Sequence, residues 1–269
     1  MDNFTSIWIS SLADIMSYGS TVSPRGQETK EVLQRTMVVD MRRPVLDLSE
    51  RKLSYTFMTA EAYWILNGDD SVEGIAPFNK HISQFSDDGK TFFGAYGPKI
   101  VGQLQYVVDK LVQDQDSRQA GLTIWRENPP ETKDVPCTIA VFFNIRQGKL
   151  NCNVFMRSSD VWLGVPYDVF NFSMLSHLVC CLLTAEGVSI EPGNLYLTAA
   201  SSHLYARNFE AANACLESSL PGLQPKTPEK MFRSTFALMK RLSDLRYSRP
   251  GDWWLRWWET RVGEANENQ

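Results

Sequence analysis

A cysteine that follows a proline at the head of an apolar run is the first residue in this chain that could do chemistry. Cys137 closes the string Val135-Pro136-Cys137 and opens the strand-like run 137–146. A thiol so placed has two readings. It is an inert core residue, the commoner fate of buried cysteine, or it is a nucleophile that adds covalently to electron-poor carbon. The five cysteines are Cys137, Cys152, Cys180, Cys181 and Cys215, an odd number with no CxxC pair. That speaks against a disulfide framework or a zinc site, predicts no metal and fits a reducing compartment.

Other groups carry two readings each. Glu61 precedes Trp64 and Ile65, whose bulk predicts a buried helix, so its carboxylate is a candidate acid or base rather than a surface charge. Asp168 opens an apolar stretch, where it is either a helix N-cap or a carboxyl that reads a ligand. Arg25, Arg118 and Arg157 each pass for solvated surface charge. His177 lies inside the apolar stretch and reads as structural.

These groups need elements to position them. Phe4, Ile7, Trp8, Leu12, Ile15 and Met16 recur at helical spacing, which predicts a helix over 3–17. Residues 20–29 read as a polar loop containing Pro24, Arg25 and Gly26, and residues 34–41 as a strand. A helix over 57–67 stops at Asn67-Gly68. Residues 69–95 read as irregular and 98–113 as helical. Strand-like runs follow over 120–126, 137–146 and 149–157, the last two joined by Gln147-Gly148 as a tight hairpin. A buried helix over 168–185, a strand over 193–199 and a helix over 203–218 complete the pattern. Trp253, Trp254, Trp257 and Trp258 share one helical face and read as packing. Strands and helices mix without regular βαβ alternation, so the class is α/β (α+β), one mixed β-sheet flanked by helices. No interdomain linker interrupts the chain, which predicts a single domain over 1–269.

Bulk properties narrow the function. The 269 residues are 43% hydrophobic and 22% charged, with a formal charge of -4. No broad basic field is available for a nucleic-acid backbone, so a polynucleotide partner is disfavoured. No apolar run approaches the roughly 20 residues that span a bilayer. The opening MDNFTSIWISS has neither a basic n-region nor a long apolar core. The expectation is a cytoplasmic enzyme without a signal peptide or membrane span.

The stretch from Pro136 to Ala185, PCTIAVFFNIRQGKLNCNVFMRSSDVWLGVPYDVFNFSMLSHLVCCLLTA, resembles the catalytic core of the thymidylate synthase family. Pro-Cys precedes a strand and hairpin; Arg-Ser-x-Asp and Leu-Gly-x-Pro then lead into a buried helix. EAYWILNGDD is similar to the family's Glu-x-x-Trp-x-x-x-Gly-Asp segment. Tyr96-Gly97, DQDSRQ and SSHLYARN resemble three further family pieces, and all fall in the family's order over about residues 20–210.

The resemblance implies a thymidylate-synthase-like fold and a sheet-to-sheet homodimer. It implies that Cys137 attacks C6 of a pyrimidine nucleotide, making C5 nucleophilic toward the one-carbon unit of 5,10-methylenetetrahydrofolate. It implies that Arg25, Arg157 and Ser158 hold the nucleotide phosphate, with Arg118 reaching into the partner's site. Glu61 would organise water and move protons. His203 and Tyr205 would bond the sugar, and Trp64, Tyr96, Asp160 and Gly164 would lie at the folate.

The departures are informative. Asp168 stands where methylating members usually have Asn. A carboxyl can accept from the cytosine amino group and share a proton with N3, whereas an Asn amide matches uracil. Thr138 replaces the usual His after the nucleophile, and Met156 the usual Gln before Arg157. Together these resemble phage deoxycytidylate hydroxymethylases and the cytidylate hydroxymethylases of nucleoside-antibiotic pathways. The expected activity is therefore a (deoxy)cytidylate 5-hydroxymethyltransferase, in which water attacks an exocyclic methylene intermediate; a phage enzyme acting in the host cytoplasm fits this pattern. The alternatives are a dCMP or dUMP C5-methyltransferase and a catalytically silent nucleotide- or RNA-binding member of the fold. Gln119 replaces the second Arg of an Arg-Arg pair, and GEANENQ replaces an apolar C-terminal tail.

Overall fold

The computed structural model describes residues 4–46 and 48–218. The tryptophan-rich segment and the GEANENQ terminus lie outside them. In chain order the elements are α1 (Phe4–Tyr18), β1 (Ser20–Val22), β2 (Thr29–Asp40), α2 (Tyr55–Leu66), α3 (Val72–Ile75), α4 (Gly97–Gln113), β3 (Gly121–Thr123), β4 (Thr138–Arg146), β5 (Lys149–Met156), β6 (Ser159–Asp160), α5 (Val165–Ala185), β7 (Glu191–Tyr205) and α6 (Phe209–Ser218).

The strands form one sheet in the order β1-β2-β7-β5-β4-β3, with β6 beside β7. β7 pairs in parallel with β5 and β6, while the other pairings are antiparallel, so the sheet is mixed as expected. The β4–β5 hairpin turns at Gln147 and Gly148, both at positive φ (55° and 72°), the requirement of a primed two-residue turn.

One face of the sheet is packed. Val141, Phe143 and Ile145 of β4, Val154 and Met156 of β5, and Leu195 and Leu197 of β7 are buried. They face α5, whose Phe170, Leu175, Val179 and Leu183 are buried in turn. Among the described residues nothing covers the other face, which carries several exposed apolar side chains: Leu33 is 65% exposed, and Val38, Ile139, Phe142 and Phe155 are 40–44% exposed.

Irregularities in several strands fall on one row. Gln34 has φ 53° and sits unpaired between Leu33↔Ser201 and Arg35↔Ala199, which leaves Ala200 unpaired opposite. Met156 pairs with Ala199 on one side and Thr138 on the other, and the β4 register shifts between Thr138 and Ala140. The β2–β7 register is the same on both sides of Gln34 and Ala200, while the extra residue in β4, Ile139, is a bulge of the kind that bends a strand and increases its twist. Cys137 and Arg157 leave the sheet just beyond this bend.

Several boundaries differ from expectation. β7 runs on to Tyr205, so His203 belongs to a strand and the following helix begins only at Phe209. Pairing with β2 from Thr29↔Tyr205 to Asp40↔Asn194 overrides the helical periodicity there. The polar loop over 20–29 contains β1, and residues 69–95 contain α3 and a 3-10 turn at Lys80–Phe85. α5 begins at Val165, three residues earlier than expected, with Gly164 at its N-cap; the N-cap reading of Asp168 is thereby corrected. α5 is also long and apolar enough to cross a membrane by length and composition, contrary to the sequence expectation; here most of it is buried as a core helix.

Candidate active site

Cys137 is half-buried at the end of the loop that enters β4. Its carbonyl accepts from the Arg157 backbone N–H at 2.9 Å, extending the β4–β5 pairing beyond the bend. Its Sγ lies 3.8 Å from Ser158 Oγ. The Arg157 side chain clasps the same loop, Nε donating to Pro136 O at 3.0 Å and Nη2 to Val135 O at 2.8 Å, while Nη1 donates to its neighbour Ser158 Oγ at 3.2 Å. Burial pushes the Cys137 thiol up; the Arg157 guanidinium and Ser158 pull it down, while Asp168 and Asp134 oppose them. The cation therefore partly offsets the cost of forming a thiolate.

Thr138 is fully buried, and its N–H and Oγ1 both donate to the Tyr96 hydroxyl, at 3.2 and 3.1 Å. Tyr96 stacks on Phe172 with centroids 6.2 Å apart. Gly97 sets the approach of this tyrosine: a Cβ there would stand 2.7 Å from Asp69 O and 2.9 Å from Ile65 O, so no larger residue lets the start of α4 close on the end of α2.

The carboxyls come from two packed helices. Glu61 of α2 is half-buried and accepts from Asn171 Nδ2 of α5 at 2.8 Å. Burial pushes its carboxyl up to about 7, and the Asn171 bond acts against that. Asp168 stands in the first turn of α5. Burial, followed by repulsion from Glu61 and Asp160, pushes it up to about 8. Neighbouring carboxyls cannot easily all ionise, so near neutrality this group shares protons. Gly164 leaves room for Asp168: a Cβ there would lie 3.1 Å from Asp168 Oδ2.

Asp160 follows on β6. Its Oδ1 accepts from the N–H groups of Trp162 and Leu163 at 2.8 and 3.0 Å, and its Oδ2 has no hydrogen-bond partner among the described residues. It pairs with His203 across β6–β7. His203 and Tyr205 stand edge to face, 5.2 Å between centroids, and Arg207 lies 4.2 Å from the Tyr205 ring centroid. Burial lowers the His203 pKa, against the pull of Asp160.

The family model described as "Thymidylate synthase" matches residues 6–240. The chain belongs to the thymidylate synthase family. It is also similar to a deoxyuridylate hydroxymethyltransferase of Bacillus phage SP01, 29% identical over 232 residues that cover 77% of this chain and 58% of that protein. The chain thus spans less than two thirds of that relative's length.

The thymidylate synthase fold brings together most of the residues singled out in sequence. Cys137, Arg157, Ser158, Tyr96, Asp168, Glu61, Asp160 and His203 form one chain of contacts and electrostatic neighbours. Tyr96 faces Asp168 and Cys137 electrostatically, so it sits on the nucleophile's side of the site. Trp64 is taken up by packing: it is 7% exposed, its Nε1 donates to Ser71 O, and it meets Phe92 edge-on. Arg25 is exposed on a 3-10 turn with φ 54°, and Arg118 is exposed after α4; neither makes an ion pair among the described residues. Met156 and Thr138 are both buried, Thr138 against the Tyr96 hydroxyl.

Three residues escaped the sequence reading. Asn171 touches Glu61. Arg207 covers Tyr205. Buried Arg51 donates to Trp162 O and stacks 4.5 Å from the Trp162 ring centroid. Asn171 had one available signal: it stands three residues after Asp168, on the same helix face.

Proposed function

We propose that this protein transfers a one-carbon unit to C5 of a cytosine nucleotide, (d)CMP, and releases it as a hydroxymethyl group. The observation that supports this reading is a cysteine on a loop clasped by a guanidinium, in the electrostatic neighbourhood of two carboxyls whose burial raises their proton affinity.

Cys137 adds to C6: the sulfur–carbon bond forms and the C5=C6 electron pair moves into the ring. Asp168, protonated up to about 8, accepts from the 4-amino group and gives its proton to N3 as charge develops there. Ring N3 becomes basic enough to take that proton only as the sulfur adds to C6 and charge moves into the ring. Arg157 and Ser158 hold the phosphate, with Arg25 from the β1–β2 turn and Arg118 from a second subunit completing the clamp. Glu61, with Asn171 on one oxygen, takes a proton from the attacking water. His203 and Tyr205 bind the sugar.

Asp160 fits a reduced folate. Its second oxygen is a free acceptor beside Leu163, which is 48% exposed, and that pairing suits a heterocycle with N–H donors on an apolar plate. Gly164 borders the same place, and Tyr96, beside Asp168 and Cys137, is assigned to the nucleotide-facing side of the folate. 5,10-Methylenetetrahydrofolate, when bound, supplies the one-carbon unit and, in methylating members, a hydride.

A homodimer completes the reading. The uncovered apolar sheet face carrying Leu33, Val38, Phe142 and Phe155 is suited to a second copy.

A uracil nucleotide is the second reading. It is favoured by the name of the phage relative and by the raised Asp168 carboxyl, since a neutral carboxyl can also accept from N3–H and donate to O4. Incubation with methylenetetrahydrofolate and dCMP, CMP or dUMP, followed by product mass, separates these. A gain of one hydroxymethyl group on a cytosine nucleotide is expected; methyl products, or turnover of dUMP alone, overturn the leading reading. Asp168→Asn is expected to move preference toward dUMP by about tenfold or more, the worth of one mismatched buried hydrogen bond.

A further inference from the structure

Asn171 lies three residues after Asp168 on α5, and its Nδ2 donates to Glu61 at 2.8 Å across the α2–α5 contact. The residue is 7% exposed, and its Oδ1 is buried without a hydrogen-bond partner among the described residues. An interior amide that uses its donor and leaves its acceptor unpaired is uncommon, because the unmade bond is costly. The cost has a use when both protonation states of Glu61 are considered. The carboxylate only accepts, whereas the protonated acid also donates. The two ends of an amide occupy the same space, so half a turn of the terminal torsion exchanges Nδ2 for Oδ1 without repacking. The N–H end matches the ionised carboxylate and the carbonyl end matches the acid.

We infer that Asn171 is the positioning residue of Glu61, holding the carboxylate with its amide N–H and the acid with its carbonyl, so that Glu61 stays aimed at one point while it takes up and releases a proton. The inference rests on Glu61 acting as the base described above. One proton moves onto a Glu61 oxygen and off again, and no covalent bond of Asn171 changes.

The surroundings leave this task to Asn171. From α5, Asp168 and Tyr167 also face Glu61 electrostatically, and an ionised Asp168 opposes its charge. From the start of α4, Tyr96 faces Asp168 and Cys137 instead. No lysine, arginine or histidine among the described residues, on α3 or elsewhere, offsets the burial of Glu61, so the Asn171 N–H is the group that favours its ionised form.

Infrared difference titration of the ligand-free protein tests this without turnover, with the Glu61 carboxyl band assigned by its loss in Glu61→Gln. The wild-type band is expected to titrate at about 7. Asn171→Leu, which neither donates nor accepts, is expected to raise the midpoint by about one pH unit, tenfold in proton affinity. Asn171→Ser, whose hydroxyl does both, is expected to stay within about half a unit of wild type. In steady state Asn171→Leu lowers kcat and leaves the nucleotide KM unchanged. A folded Asn171→Leu protein that titrates like wild type overturns the inference, as does an Asn171→Ser midpoint displaced as far as that of Leu. Should the Leu variant not fold, Asn171→Ala takes its place: a raised midpoint supports the assignment and an unchanged one defeats it. Wild-type protein that titrates as expected yet converts no pyrimidine nucleotide defeats the proposed function and not the role of Asn171. Turnover with an unmoved midpoint in the variants defeats the role of Asn171 alone.

Discussion

The sulfur of Cys137 and the carboxyl of Glu61 are both half-buried, yet their surroundings differ in kind. The sulfur sits where strands end at a bend in the sheet, on a loop clasped by two Arg157 hydrogen bonds, with that guanidinium pulling the thiol pKa down. Among the described residues, Glu61 sits between two helices with an amide as its one stabilising partner and further carboxyls nearby. A cation offsets burial on one side and nothing ionic does so on the other. One end of the pocket is thereby prepared to carry negative charge on sulfur, and the other to hold and exchange protons near pH 7.

This contrast can be broken experimentally. The largest effect is expected from Cys137→Ala, which should reduce turnover by about 10⁴-fold or more and abolish any nucleotide adduct seen by intact-protein mass, as deletion of a covalent nucleophile does. A smaller loss would place covalent chemistry elsewhere. Next comes Glu61→Gln, expected to cost about 10² to 10⁴-fold in kcat. The sign of its pH dependence is fixed: a base must be ionised, so wild-type kcat rises as pH passes about 7, and that rise should be absent in Glu61→Gln. Above about 8, Asp168 loses its proton and kcat should fall again, giving a bell. Retention of the acid limb in Glu61→Gln would assign it to another group.

Arg157→Lys sharpens the sulfur side. An ammonium cannot span Pro136 O, Val135 O and Ser158 Oγ together, so nucleotide affinity should fall about tenfold to a hundredfold. The pH dependence of Cys137 alkylation should move up as well; unaltered alkylation would remove the electrostatic half of the comparison. Tyr96→Phe is the mildest test. It removes the shared acceptor of Thr138 and should cost about 1 kcal/mol in urea unfolding.

Much of this site was legible before the fold was known. Cys137, Arg157-Ser158, Asp160 and Asp168 fall within 32 positions of one another in a motif-rich stretch, and Glu61 and Tyr96 announce themselves by their neighbours. The mixed sheet and most helices were also readable, because alternation and helical periodicity are strong over long segments. Three features were not. The strand character of 200–205 depends on pairing with β2, a contact between residues far apart in sequence. That the Trp64 ring is taken up by packing rather than offered to a ligand depends on what meets it, here Ser71 and Phe92. Asn171 resembles any polar residue in an apolar helix until α2 is laid beside α5.

The sequence by itself determined the groups present: one thiol after a proline, a set of carboxyls, several arginines and the periodicities that make strands and helices. Those are properties of side chains and of local backbone preference. Only the tertiary structure decided which of them meet and in what charge state. Proton affinity is set by burial and by neighbours within a few ångströms, and a row of strand irregularities with two crossed helices fixes both here.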